Sequence, residues 1–530
     1  MAFISFAFAI FCLCVIIPYF IVPLKYRWIV LLIGSYAFFY INSQWLVLVM
    51  FVTTAITFFM GRMIHKCIQA GKDEIEAHPE WKMKEKKACK NEAKKKAGVY
   101  LKAGIILDLG ILLYLKYFNF FADSFNSVFV FTGIQIPFKT LLIPIGISFY
   151  TLQAISYLID VSRDKCEADT NFAKFMLYMS FFPQIVQGPI ARHNHLAHQL
   201  YEGHQFDLNR TIMGLQMIMW GFLKKAVIAD RVAIPVNAIF DHYTRYSGPI
   251  VLLAAFLYGI QVYTDFSGGM DIARGVAQIL GIDLELNFNQ PYFSKSIEEF
   301  WRRWHITLGG WMRDYIFYPL SLSKAFTNLG RKSRKYLGSF IGKRLPPFLS
   351  MFIVYFLVGL WHGSETKYIA YGLWNGIFVM SGVLLAETYV AMRERLHIPE
   401  NAGWWRIFQM VRTALLCSIG RFFPRAGSTM VALKMIASIF AGALNWKPIF
   451  DGTLLKLDLS LKNWIVLIIA IIVLFVVDYL HEKGISIREV IARQHIVVRY
   501  AAYYGAIIIF FVFGIYGPAF DSAAFIYEQF

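Results

Sequence analysis

Two histidines lie in motifs where an imidazole could perform acid–base chemistry. His305 follows residues 300–304, which are aromatic or basic, and His362 lies between the apolar residues 359–361 and Gly363. An imidazole titrates near neutral pH, so either ring could take a proton from a hydroxyl and return it to a leaving group. A lone histidine on an aromatic face is more often a hydrogen-bonded core residue, so the residue types leave both interpretations open.

Further charged residues occur between Tyr263 and Asn375. Asp265 and Asp271 flank the glycine pair 268–269, and either carboxylate could pair with Arg274 and pin a helix break there. Buried ion pairs commonly serve structure, so this interpretation is favoured over a catalytic one. The cluster as a whole still predicts a functional site, since ionisable groups at membrane depth are costly.

Residues 296–315 predict one amphipathic helix. Glu298 with Arg302 and Glu299 with Arg303 have the i,i+4 spacing of favourable ion pairs. At helical spacing one face would carry Trp301, Trp304, His305, Leu308, Met312 and Tyr315.

His362 is predicted to end a helix. Gly363 could supply a left-handed cap, and Ser364 with Glu365 suits the start of the next helix. The helix dipole would raise the pKa of His362 and desolvation would lower it, so the sequence leaves a general base and a carbonyl-bonded structural residue as alternatives.

Metal, redox and phosphate-loop chemistry are not indicated. The histidines at 193, 195, 198 and 204 lack a carboxylate or cysteine at metal-site spacing, so no metal is expected. The six cysteines resemble neither a disulfide framework nor a zinc site, and no Walker loop or Gly-x-Ser-x-Gly elbow occurs.

The elements that must hold these residues are membrane helices. The 530 residues are 58% hydrophobic and 16% charged, and the mean hydropathy is +0.51. Apolar windows recur from residues 3–23 to residues 500–517, and we expect the run from Ala2 to Leu24 to be a retained first span, not a cleaved signal peptide. The composition therefore predicts an all-α, multi-pass membrane protein.

Basic charge is concentrated in two segments. Residues 61–102 hold 12 Lys and Arg against 6 Asp and Glu, and residues 321–347 hold 7 against none, within a net charge of +18. The positive-inside rule places both loops in the cytoplasm. It explains their basic charge, so the charge does not indicate nucleic-acid binding. The first loop is predicted to form two helices broken at Pro79, either solvated or lying on anionic lipid.

Several motifs, taken together and in order, resemble the membrane-bound O-acyltransferase family. The resemblance is to its bacterial branch, which includes the membrane subunits of alginate and peptidoglycan O-acetylation and of teichoic-acid D-alanylation. The motifs that carry it are residues 148–153 with 157–160, 181–190, 265–268, 287–292, 300–305, 313–315 and 359–363.

The resemblance implies a ring of tilted helices around a central funnel, with the two histidines at its constriction. It implies that His362 is the base for an acceptor hydroxyl and that His305 orients the acyl group or stabilises the oxyanion, although the roles could be exchanged. Tyr527 in the aromatic tail could carry the acyl group as a relay ester, but an interfacial anchor is favoured. Further residues expected to line the site are Trp301, Trp304, Trp361, Asp265, Asn375, Arg302 and Arg313.

The resemblance also implies a substrate and a location. We expect a core at residues 1–424 and additional helices with the aromatic tail at residues 425–530, in a bacterial cytoplasmic (inner) membrane. Acetyl-CoA is the expected donor, a surface polysaccharide the acceptor, and an extracytoplasmic acyltransferase of the SGNH type the partner. Acyl transfer from a carrier protein is the rival within this class. A transporter or lipid flippase is the rival outside it, disfavoured because the charged motifs form one unpaired block.

Overall fold

The protein is helical throughout the part of the chain that the structure describes. The computed structural model describes residues 5–132, 134–246 and 248–516. Within these ranges there is no β-strand, and one isolated antiparallel bridge joins Phe288 to Trp304. The all-α prediction is confirmed.

Contacts between Cα atoms divide the chain into two compact units. The first unit comprises residues 1–215 and 273–285, and the second comprises residues 216–272 and 286–530. The boundary predicted at residue 424 rests on the family resemblance and stays a prediction. The helices of the first unit are α1 (Phe6–Ile21), α2 (Arg27–Ser43), α3 (Val47–Ala77), α4 (Met83–Val128), α5 (Ile147–Ser162), α6 (Phe172–Ser180), α7 (Phe182–Ile185) and α8 (His193–Tyr201).

The chain passes between the units within α9 (Leu208–Phe222) and α11 (Pro249–Ile279). The second unit also contains π-helical turns at Leu223–Ala229 and Arg313–Phe317. Its other helices are α10 (Asp230–Asp241), α12 (Ile297–Arg303), α13 (Ile306–Met312), α14 (Tyr318–Ser321), α15 (Lys324–His362), α16 (Thr366–Leu384), α17 (Ala386–Arg395), α18 (Gly403–Gly420), α19 (Phe422–Arg425), α20 (Thr429–Ala441), α21 (Lys447–Phe450), α22 (Leu461–Glu482), α23 (Ile487–Ala492) and α24 (Ile496–Phe513).

Many of these helices meet the length and composition of membrane spans. The bent pair α16 and α17, which meet at 69°, makes a possible eighth span, and α1 is shorter than the predicted window 3–23. Among the described residues seven segments qualify, namely Leu24–Ala77, Met83–Val128, Leu208–Asp241, Pro249–Ile279, Lys324–His362, Leu461–Glu482 and Ile496–Phe513. The multi-pass prediction is therefore confirmed.

The two basic segments lie at helix ends. As predicted, the chain breaks near Pro79, between α3 and α4. The second basic segment forms the first half of α15, which bends at Gly338, where φ is +82°. Only glycine adopts this conformation readily, so it marks the bend before the apolar half of α15 that leads to His362.

The apolar half of α15 packs closely on α16 through glycines. A Cβ added to Gly372 of α16 would lie 2.9 Å from the Cα of Gly359 and would also meet the backbone carbonyl of Tyr355. Small residues allow two membrane helices to approach this closely. This contact holds the end of α15, and with it His362, against α16.

We predict that Gly372→Ala destabilises the protein by about 1–3 kcal/mol, because neither backbone can move away without disturbing its own helix. The measurement is the thermal unfolding midpoint in detergent. Gly382→Ala on the same helix is the matched control, since a Cβ there meets nothing within 4 Å and alanine favours helix. Equal midpoints for the two variants would contradict close packing at Gly372.

Candidate functional site

His305 lies at a sharp turn between two short helices. The prediction of one continuous helix is wrong: α12 ends at Arg303, Trp304 is extended, and His305 has φ 46° and ψ 54° before α13 begins. The predicted ion pairs of Arg302 and Arg303 on α12 are present, at 3.6 Å and 2.8 Å. The turn takes the His305 ring off the helical face on which the sequence placed it.

Pairing with residues 287–289 explains the turn. The Asn289 amide donates to the Arg303 carbonyl at 2.9 Å, and the Ile306 amide donates to the Asn287 carbonyl at 3.1 Å. The Asn287 side-chain oxygen also accepts from the amide and hydroxyl of Thr307, both at 3.0 Å. An asparagine distant in the sequence thus accepts the hydrogen bond of an amide in the first turn of α13. The residue just before the helix supplies no such side-chain cap.

His362 is the last residue of α15, as predicted. The predicted left-handed cap is wrong, because Gly363 has φ 177°, which is extended backbone. Glycine fits there for a different reason: a Cβ would collide with the Tyr368 ring. The next helix starts at Thr366.

The two histidine motifs meet inside the second unit. The Trp361 ring contacts both imidazoles, with centroid distances of 5.4 Å to His305 and 4.9 Å to His362. Phe266 of α11 contacts His305 at 5.0 Å, and Tyr371 of α16 contacts His362 at 5.5 Å. The side chains of His305 and His362 are 1% and 6% exposed.

Burial controls the charge of this pair. Desolvation, aided by the neighbouring His362, holds the pKa of the His305 imidazole well below its ordinary value. His305 is therefore neutral at neutral pH, with one nitrogen able to donate a hydrogen bond and one able to accept. Because each positive charge would repel the other, the pair is suited to carry a single proton.

Three predicted tryptophans help to enclose the site. The Trp301 indole donates to the Asn375 side-chain oxygen at 3.3 Å, and the Asn375 amide donates to the Tyr371 carbonyl at 2.9 Å. Trp304 stacks on Phe300 at 5.4 Å. With Trp361 touching both histidines, these contacts join α12, α15 and α16 around the imidazoles.

Asp265 lies in a buried ion-pair cluster. Its carboxylate meets the Lys225 ammonium at 2.7 Å, and Asp271 meets Lys224 at 2.7 Å, so pairing with Arg274 was a wrong prediction. The predicted helix break is also wrong, since α11 continues through this segment. Both lysines lie in the π-helical turn at Leu223–Ala229. Two lysines within an apolar window are a sign of buried ion pairs, and the sequence analysis did not predict these pairs.

Other predicted site residues lie elsewhere. Arg302 and Arg313 are exposed and pair with Glu298 and Asp314, so the structure does not bring them into the buried cluster. Tyr527 lies outside the described residues. A direct role for these three side chains stays a prediction.

The histidines of the predicted loop make ordinary polar contacts. His193 meets the Asp169 carboxylate at 2.6 Å, and the His204 ring meets the Gln199 carbonyl at 2.7 Å. Across the described ranges no group of three or more His, Cys, Asp or Glu side chains could hold a metal ion.

The fold and the site define a class: a multi-pass, all-α membrane protein with two imidazoles in a dry aromatic enclosure. Comparison with known proteins assigns the region that holds this site to a family. Residues 161–420 match the membrane-bound O-acyltransferase (MBOAT) family, so the chain carries an MBOAT domain. The matched residues include both histidines and Phe266, Trp361 and Tyr371, which contact them.

Curated relatives agree with this assignment. The chain is 34% identical over 333 residues to a probable alginate O-acetylase AlgI of Azotobacter vinelandii, which covers 62% of the chain and 60% of the relative. It is 30% identical over 351 residues to a peptidoglycan O-acetyltransferase of Helicobacter pylori, covering 61% of each. A teichoic acid D-alanyltransferase of Streptococcus thermophilus is 28% identical over 269 residues, covering 49% of the chain and 60% of the relative.

The matches therefore span about six-tenths of the length of these curated relatives. They establish the resemblance predicted from the motifs. The substrates in these names are those of the relatives.

The turn at His305 yields a stability prediction. His305→Val should destabilise the protein by about 1–3 kcal/mol, because a β-branched residue fits the left-handed region poorly. His305→Asn should unfold near the wild-type temperature, since asparagine tolerates this conformation. Thermal unfolding in detergent measures both variants, and equal losses would show that the ring, and not the backbone conformation, sets stability here.

Proposed function

We propose that the protein is a membrane O-acyltransferase that passes acetyl groups from cytoplasmic acetyl-CoA toward a surface polysaccharide. The observation that carries this proposal is the contact of His305 and His362 with the same Trp361 ring, in an enclosure that excludes most water. Two neighbouring imidazoles, of which His305 is held neutral, suit a reaction in which a proton moves from a nucleophile to a leaving group.

His362 acts as the base in this proposal. It takes the proton of the acceptor hydroxyl as the hydroxyl oxygen attacks the thioester carbonyl. Collapse of the tetrahedral intermediate breaks the carbon–sulfur bond, and the protonated His362 returns the proton to the departing thiolate. His305 orients the acyl group or stabilises the developing oxyanion. The two roles could be exchanged, and the variants below compare them.

The basic half of α15 supports a coenzyme A donor. Its residues Arg331, Lys332, Arg334 and Lys335 are exposed and precede the apolar half that ends at His362. Exposed guanidinium and ammonium groups attract phosphates. The positive-inside rule explains the same basic residues equally well. The charge is therefore compatible with coenzyme A as the donor but does not distinguish it from a carrier protein.

The acceptor and the partner are inferred from the relatives. Proteins named for alginate and peptidoglycan acetylation share the matched region, which supports transfer to a surface or cell-wall polysaccharide from a bacterial inner membrane. A polymer is too large to enter a buried enclosure. We therefore infer an extracytoplasmic acyltransferase of the SGNH type that completes the transfer.

A carrier-protein donor is the second candidate. It is favoured by the similarity to a teichoic acid D-alanyltransferase. The two candidates differ in the thioester consumed, because one uses acetyl-CoA and the other uses an acyl group on a carrier's phosphopantetheine arm. Supplying each thioester to the purified protein in lipid separates them.

We predict that His362→Gln lowers acetyl transfer by about 10²- to 10⁴-fold, the usual contribution of a positioned general base. Labelled acetyl-CoA and a hydroxyl acceptor measure it in lipid nanodiscs. His305→Asn should also lower the rate, and the variant with the larger loss identifies the base.

The matched control is His495→Gln, because His495 only caps α24. Transfer near the wild-type rate by His362→Gln would refute the base assignment. Turnover of the carrier-bound acyl group alone would establish the second candidate.

Tyr527 is tested separately. If it anchors the chain at the membrane surface, Tyr527→Phe should transfer acetyl groups at the wild-type rate. If it forms a relay ester, the same variant should still consume acetyl-CoA but lose delivery to the acceptor, because phenylalanine lacks the nucleophilic oxygen. Product and free thiol are quantified in one assay.

A further inference from the structure

Arg421 is a buried cation beside the histidine site. It directly follows α18, and the residue is 3% exposed. Its guanidinium lies over the Trp304 ring, 4.9 Å from the ring centroid. The faces of Phe300 and Tyr292 lie at 5.5 Å and 5.8 Å from it. Trp304 directly precedes His305, so the guanidinium is one side chain away from the catalytic turn.

This charge has no counter-ion among the residues that the structure describes. Neither terminal nitrogen, Nη1 or Nη2, has a hydrogen-bond partner there. The Tyr292, Tyr371 and Tyr258 phenols and the Cys417 thiol lie nearby and are neutral at pH 7. Aromatic faces offset part of the cost of burying a cation, but they do not replace a paired anion.

Two further polar groups point to the same place. A Cβ built on Gly259 of α11 would lie 3.0 Å from Arg421 Nη1, 3.1 Å from the Tyr292 hydroxyl and 3.2 Å from the Ser418 hydroxyl. Both oxygens are buried, and neither makes a well-formed hydrogen bond within the described residues, although the Tyr292 hydroxyl lies near the guanidinium. Three buried donors thus converge beside Gly259, where a Cβ would be in tight contact with each of them.

The geometry points to an anion-binding site formed by Arg421, Tyr292 and Ser418, which takes one carboxylate or phosphate group of a substrate. A guanidinium with two free nitrogens matches the paired oxygens of either group, and the hydroxyls add donors. The inference rests on the proposed function, because it assigns the site to a substrate of acyl transfer. The anion comes either from the donor's phosphates or from an acidic acceptor.

Arg421→Met tests the site in lipid nanodiscs, since it removes the charge and keeps much of the volume. Two donors are compared, acetyl-CoA and S-acetylpantetheine, which lacks phosphate. Two acceptors are compared, glucuronate and glucose. If the site binds the donor, the KM for acetyl-CoA rises at least tenfold and that for S-acetylpantetheine does not change. If it binds the acceptor, the KM for glucuronate alone rises. An unchanged KM for all four would overturn the inference.

Arg425→Met is the matched control. Arg425 also lies over an aromatic face, that of Phe240 at 5.2 Å, but it is partnered by Asn237 at 2.7 Å and Asp241 at 3.6 Å. Its loss should leave every KM unchanged. If Arg421→Met does not fold, Gly259→Ala keeps all three donors but crowds them, and it should reproduce the KM change.

A binding measurement separates this inference from the proposed function. At constant ionic strength, inorganic phosphate or acetyl-CoA should raise the unfolding temperature of the wild type and leave that of Arg421→Met unchanged, because a ligand stabilises only the state that binds it. Stabilisation without any acetyl transfer would keep the anion site and refute the proposed function. Transfer with no such stabilisation and no KM change would refute the anion site alone.

Discussion

The short backbone pairing between residues 287–289 and 303–306 is the constraint on which the site depends. Two amide–carbonyl bonds and the Asn287 side chain end one helix, turn the chain through His305 and start the next helix. Unpaired backbone groups are costly in a dry interior, so this pairing permits an irregular turn among buried helices. Without it, residues 296–315 would continue as one helix and the His305 ring would face elsewhere.

Helix packing brings the second imidazole to that turn. Glycines at 359 and 372 allow α15 and α16 to approach closely, which fixes His362 at the end of α15 and Tyr371 beside it. Aromatic rings fill the space around the histidines and keep His305 neutral by excluding water. Close packing and low polarity thus act together, because the helices that position the imidazoles also set their charge.

The buried charges of the second unit fall into two kinds. Lys224 and Lys225 meet carboxylates on α11, and such pairs offset the cost of leaving water. Among the described residues, Arg421 meets neutral groups and aromatic faces. Paired charges of the first kind are consistent with a structural role, whereas an uncompensated cation next to a reactive turn is suited to an anion that arrives with the substrate.

The sequence alone determined the all-α membrane class, the family and the two histidine motifs, because composition and local spacing carry that information. It also placed the break near Pro79 and the end of a helix at His362. It did not determine the turn at His305, the lysine partners of Asp265 and Asp271, or the surroundings of Arg421. Each of these depends on residues distant in the chain, such as Asn287 for the turn and Trp304 for the aromatic face under Arg421. Only tertiary packing decides them, since a helical period describes a segment's own faces and not which neighbour will satisfy its polar groups.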